Sequence, residues 1–172
     1  MTFSRTCANV KKDATDKKDV RKMPYILTLL SLFSVDSAVK CWIEKTDTVL
    51  ELQERTVFNG VALRRHHNRG AMMNIGEGQQ HLVAQLSLVF SAFVTGIFTA
   101  VLGTKGKRML KTGLALILGG AYSNTCDRLR RKYVVDYVTF PKISTIVFNL
   151  SDFGIIIGAV LLVVSELTGG QD

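Results

Sequence analysis

Three acids in this chain stand where an acid is costly or close to another acid. Asp36 lies in an otherwise apolar run, Asp136 in Tyr133-Val134-Val135-Asp136-Tyr137, and Asp152 in Phe148-Asn149-Leu150-Ser151-Asp152 at the head of a second apolar run. An Asp at the centre of a bilayer costs about 2.5–3.5 kcal/mol on insertion scales, so an acid kept there needs a partner or a task. Two carboxyls facing each other across a water cannot both ionise easily. One keeps a proton while the other acts as base, which is the chemistry of aspartic peptidases. The connection from Asp136 to Asp152 is short enough for both to reach one water-side mouth of a helical bundle. On residues alone Asp127 is a rival for either place, and a solvated loop acid is an equal reading of Asp136.

Other polar residues have spacings that place them together. Asp36 and Lys40 stand i, i+4 with the acid first, the favourable order for a pair within one helix, and the simpler reading is a self-satisfied structural ion pair. Asn124 and Asp127 stand i, i+3 on one helix face, and Arg128 follows directly. An arginine beside the carboxylate is expected to keep Asp127 ionised and to give it a positioning role. Ser123, Asn124, Asn149 and Ser151 next to the acids are suited to a wet pocket at a membrane edge. His66, His67 and His81 lack metal-ligand spacing, and neither HExxH nor CxxC occurs, so no metal site is expected. A serine nucleophile is a poor option, because no Gly-x-Ser-x-Gly is present.

The elements that must hold these residues follow from hydropathy. The chain has 172 residues, 47% of them hydrophobic and 21% charged, and the charges lie in blocks between apolar stretches. An ordinary soluble globule is thereby excluded in favour of a multi-pass membrane protein. A window of about 19 residues gives four helices, at about 24–43, 82–102, 109–126 and 146–166. The fold class expected is an all-α membrane protein with a small β-sheet, a hairpin at about 48–70, between helices 1 and 2. Asn59-Gly60 between two β-capable runs is the hairpin signal. A hairpin alone is marginal in water, so it must dock on the helix ends. Arg64, Arg65 and Arg69 on it face either phosphate headgroups or solvent.

Residues 1–22 are set apart as a basic tail without fixed order, and 23–172 as a single domain. No A-x-A site follows the first apolar run, and Lys40 spoils a lipoprotein signature ending at Cys41, so removal of this segment is not expected. Three cysteines exclude a disulfide framework, and Cys41 and Cys126 are read as single buried thiols. Gly119-Gly120-Ala121 reads as plain helix packing. With four spans both ends share a side. That side carries seven basic residues in 1–22 and four more at Lys105, Lys107, Arg108 and Lys111, against ten on the other side. The bias puts both termini in the cytoplasm by a narrow margin. The net charge of +8 suits anionic lipid headgroups, not nucleic acid, since no basic face carries interleaved aromatics.

Taken in order, Asp36-x-x-x-Lys40, Asn68-x-Gly70-Ala71, Asn124-x-x-Asp127-Arg128, Val134-Val135-Asp136-Tyr137 and Phe148-Asn149-x-Ser151-Asp152 resemble the motifs of bacterial lipoprotein signal peptidase, signal peptidase II. The resemblance covers about residues 24–166. Ser151 stands where that family usually has Ala, and Met73 where an aromatic is common. The resemblance implies an aspartic endopeptidase of the bacterial plasma membrane, with its site near the extracytoplasmic face. It would remove signal peptides from diacylglyceryl-modified prolipoproteins, cutting on the N-terminal side of the lipidated Cys. The catalytic dyad implied is Asp136 and Asp152. Asn68, Gly70, Asn124, Asp127, Arg128 and Asn149 would hold the substrate or orient the dyad, supported by Asp36 and Lys40 from span one. Membrane lipid and cyclic peptide antibiotics are implied as further partners, and the enzyme would act as a monomer without a cofactor. The rival class is a proton-coupled transporter or scaffold relaying through Asp36, Lys40 and Asp152. It would call for internal repeats or paired broken helices, and neither is found.

Overall fold

The computed structural model describes residues 3–46, 55–58, 60–71, 75–76, 78–140 and 146–169, with side chains from residue 22 onward except in 55–58. Helix α1 runs Phe3–Lys45, strand β1 Arg55–Phe58, β2 Val61–Asn68, helix α2 Gln80–Leu102, α3 Arg108–Arg131, strand β3 Val134–Thr139, β4 Val147–Phe148 and helix α4 Leu150–Leu167.

Helix α1 starts at Phe3, not near residue 24, and runs through the basic lead into the first apolar run. The lead has no Gly or Pro before Pro24, so charge alone does not stop a helix that an apolar continuation has already nucleated. Lys22–Lys45, α2 and α4 are long and apolar enough to cross a membrane. Helix α3 is not, for a reason visible in the packing: it is the central helix, against α1, α2 and α4. Its partners cover it, so its sequence can be polar where theirs must be apolar.

Small residues set how closely the helices approach. A methyl group on Gly158 would come 2.6 Å from the Gly113 carbonyl oxygen, and one on Gly120 would come 2.5 Å from that of Ser151. A methyl group on Gly119 would come 2.8 Å from the Leu29 carbonyl oxygen of α1. The glycines therefore let backbones touch along two seams, as in small-residue helix packing in lipid. Val94, Phe98, Leu114, Ala115, Ile117 and Leu118 fill the α2–α3 interface. Lys111, buried near the start of α3, donates to the carbonyls of Thr104, at 2.6 Å, and Gly106, at 2.7 Å, tying down the α2–α3 turn.

The hairpin forms where Asn59-Gly60 placed it: Phe58 pairs with Val61, and Gly60 takes φ +95°. Residues 47–54, the rest of that expected region, lie outside the described residues. The sheet is larger than a hairpin between helices 1 and 2. It has four antiparallel strands in the order β1-β2-β3-β4, and the last two come from after α3. Residues 134–139 are thus a strand, and α4 starts at Leu150 because Val147 and Phe148 pair with β3. Sequence position hid this, since β2 and β3 are joined only through two intervening helices. Ile43 at the end of α1 packs on Val135 and Tyr137, which docks the sheet on the bundle.

Candidate active site

Alternation along β3 sorts its side chains into two jobs. Val135 and Tyr137 point to α1, while Val134 and Asp136 line a cleft on the other face. The cleft, about 320 Å³, is also lined by Asn68 of β2, Asn124, Thr125 and Arg128 of α3, and Asp152 of α4. Apolar side chains such as Phe90, Phe148 and Ile156 make up much of its remaining wall.

Asn149 joins the two acids. It caps α4 in a capping box: its Oδ1 accepts from the Asp152 backbone N–H at 3.0 Å, and its own N–H donates to Asp152 Oδ2 at 3.0 Å. The remaining amide group, Nδ2, donates to Asp136 Oδ1 at 2.6 Å and to Asn124 Oδ1 at 3.2 Å. Asn124 Nδ2 in turn donates to Asp152 Oδ1 at 3.1 Å. Asn68, paired with Val134 in the sheet, reaches along the same face to donate to Asp136 Oδ2 at 3.1 Å. Its Oδ1 accepts from the Gly70 N–H at 3.1 Å, which fixes the amide's orientation. Asp136 is only 3% exposed, and burial, with the Asp152 carboxylate nearby, pushes its pKa up to about 7.

Lys40 is the cation behind this pair. Its Nζ, almost wholly buried, lies 2.8 Å from Asp36 and 3.2 Å from Asp127, and donates to Asn124 Oδ1 at 2.7 Å and Ser123 Oγ at 3.1 Å. Asp36 also accepts from Ser123, Ser151 and Tyr137. The intrahelical pair read from the sequence is therefore present, but it is the hub of a network between α1, α3, α4 and β3. Asp127 is held by Lys40, by Arg131 at 3.4 Å and by the Val135 N–H at 3.3 Å. Arg128, expected as its partner, turns elsewhere. Successive helical side chains diverge by about 100°, and Arg128 Nη2 donates instead to the Gly70 carbonyl at 3.4 Å. Its Nε is buried without a partner among the described residues.

The sequence-predicted residues Asp36, Lys40, Asn68, Gly70, Asn124, Asp127, Arg128, Asp136, Asn149 and Asp152 are therefore all in or directly behind one cleft. Three contributors were missed as such. Tyr137 donates to Asp36 Oδ1 at 2.9 Å and accepts from the Leu150 N–H at 3.1 Å, and burial pushes its hydroxyl pKa up. Ser87 and Thr125 line the cleft, where Thr125 Oγ1 is 3.1 Å from Ser91 Oγ. Strand alternation next to Asp136 was the available signal for Tyr137. For the hydroxyls of α2 and α3 there was none. Cys41 is exposed and Cys126 partly so, both free, in place of the buried thiols expected. Arg65 turns inward, donating to the carbonyls of Glu44 and Thr46 at the end of α1. Met73 lies outside the described residues.

The family resemblance agrees with comparison to known proteins. A family model described as signal peptidase (SPase) II matches residues 28–168. The chain belongs to the signal peptidase II family. Among its relatives, a lipoprotein signal peptidase of Shouchella clausii is 34% identical over 155 residues, 87% of this chain and 96% of that one. Another, of Mesorhizobium japonicum, is 34% identical over 151 residues, 85% and 86% of the two chains. A bacterial membrane enzyme solved in meso at 2.3 Å resolution shares the fold, with a TM-score of 0.71, 19% identity and 84% of this chain and 88% of that one covered. A second in meso structure, at 1.9 Å, gives 0.69 at 19% identity, covering 84% and 92%. Membership of signal peptidase II makes the protein a membrane-embedded peptidase, and the cleft is the place in it where carboxyls converge.

Proposed function

We propose that this signal peptidase II is an aspartic endopeptidase whose catalytic pair is Asp136 and Asp152. The observation that carries the reading is Asn149, which binds both carboxyls and so fixes them at one cleft. With its pKa near 7, Asp136 is the member that keeps a proton. Ionised Asp152 takes a proton from a water between the acids as that water's oxygen attacks the peptide carbonyl carbon. Asp136 gives its proton to the carbonyl oxygen, forming a neutral diol. Collapse of the diol breaks the C–N bond. The amine leaves with the proton held by Asp152, and a diol hydroxyl returns one to Asp136. Arg128, with its unpartnered Nε, and Asn68 hold the substrate backbone, while Asn124, Asp127, Lys40 and Asp36 fix the acids from behind.

The substrates are prolipoproteins, as the names of the relatives support, and they carry a diacylglyceryl group, which the cleft's apolar walls suit, on the Cys that follows the bond cut. Four helices cross the bacterial plasma membrane with both termini cytoplasmic and the cleft near the outer face. Helix α3 crosses as the shielded central one. Cyclic peptide inhibitors of the family bind at the dyad, and the enzyme works as a monomer.

The test is a gel-shift cleavage assay in detergent or liposomes, using one diacylglyceryl-modified prolipoprotein and its unlipidated form. Wild-type enzyme is expected to cut the lipidated form alone, and Asp136→Asn and Asp152→Asn to cut neither. Turnover retained in both folded variants refutes the dyad.

A further inference from the structure

A second groove lies beside the catalytic cleft, about a quarter turn round α3. It encloses about 490 Å³ between Leu29, Leu30 and Phe33 of α1, Leu88 of α2, and Tyr122, Cys126 and Leu129 of α3, with Arg130 at one end. Leu30, Leu88 and Leu129 are half exposed on its rim, so the groove opens on the surface that apolar helices present to lipid. The α3 wall from Tyr122 to Arg130 is about 12 Å long at 1.5 Å per residue, enough for the upper half of an acyl chain. Thr125 lines this groove and the catalytic cleft alike.

The basic run after Cys126 divides its tasks. Arg128 lines the catalytic cleft, and Arg131 is paired with Asp127. Exposed Arg130 is the arginine that stands at the end of the apolar groove. It sits at the same end of the bundle as the sheet and the acids, where a headgroup would meet it. An apolar trough ending in a cation is complementary to an acyl chain ending in a phosphate, and one basic residue near the membrane surface contributes about 1 kcal/mol toward anionic lipid.

We propose that this groove binds one anionic phospholipid, with an acyl chain along α1, α2 and α3 and its phosphate on Arg130. Cys126 lies in the groove and reports occupancy. In the full chain carrying Cys7→Ser and Cys41→Ser, labelling of Cys126 by a maleimide is followed in detergent micelles. Dioleoyl-phosphatidylglycerol is expected to slow labelling about fivefold more than the same amount of dioleoyl-phosphatidylcholine. Arg130→Gln should abolish that difference, while Lys132→Gln, the same charge loss outside the groove, should keep it. Native mass spectrometry should show one phosphatidylglycerol retained by the wild type and about fivefold less retention by Arg130→Gln, a readout that does not depend on labelling. Equal protection by both lipids, or by neither, overturns the proposal. So does protection by a lipidated prolipoprotein alone, which would make the groove part of the substrate's path.

Discussion

Asp136 carries the sharpest consequences at the level of single residues. Its carboxyl is raised from 3.8 to about 7 in the folded protein, so the native state binds this proton more tightly than the unfolded chain does. Its contribution to stability is therefore most favourable below about pH 4. It declines as pH rises from about 4 to about 7 and is flat above. The one-proton dyad is lost over the upper part of that range, so kcat/KM should fall as pH rises through about 7. A profile flat to pH 9 counts against Asp136 as the proton holder. Asn149 lets structure and chemistry be separated. Asn149→Ser keeps a capping oxygen for the Asp152 N–H but lacks the amide that donates to Asp136. Melting should stay close to wild type while kcat drops at least about tenfold. Asn149→Ala should lose both, including about 1 kcal/mol of cap. Ser151 adds a donor to Asp36, so Ser151→Ala should cost about 1.5 kcal/mol in unfolding without abolishing cleavage.

Between elements, the energetics concentrate on Lys40 and on the glycine seams. Lys40 ties α1 to α3, and Asp36 beside it ties α1 to α4 and β3. Lys40→Met leaves two buried carboxylates without that cation, and breaking such a pair costs about 3–5 kcal/mol, to be read from thermal unfolding in detergent. A variant as stable as wild type would show that water or a neighbouring residue takes over the lost contacts. Gly158→Val tests the seam. Its side chain meets the Gly113 carbonyl and Ile117, and overpacking of this kind costs about 1–3 kcal/mol. Since α4 carries Asp152 and α3 carries Asn124, a shift along that seam should also lower kcat. The sheet is held to α1 by a third device. His67 Nε2 lies 2.7 Å from Glu44 Oε1, and Tyr133 stacks on the His67 ring and donates to Glu44 Oε2. These contacts sit one residue from Asn68, so they fix the strand that reaches Asp136.

For the whole molecule the proposed topology gives a direct expectation. With four crossings, Cys7 lies on the cytoplasmic side, opposite the cleft. In a Cys41→Ser, Cys126→Ser background, a membrane-impermeant maleimide should label Cys7 in inverted vesicles and not in right-side-out ones. Labelling in the reverse pattern would invert the enzyme. The sequence by itself determined the apolar runs, the Asn-Gly turn and the i, i+4 pair of Asp36 and Lys40. Each of these is a local property, set by hydropathy, turn chemistry or helical spacing. Only the tertiary structure decided that residues 134–139 pair with β2, because that pairing spans two helices. It alone decided that Asp127 goes to Lys40 and Arg131 and not to Arg128, because neighbours on a helix diverge. It also decided that the most polar of the four helices read from hydropathy occupies the centre, because the three more apolar ones pack around it.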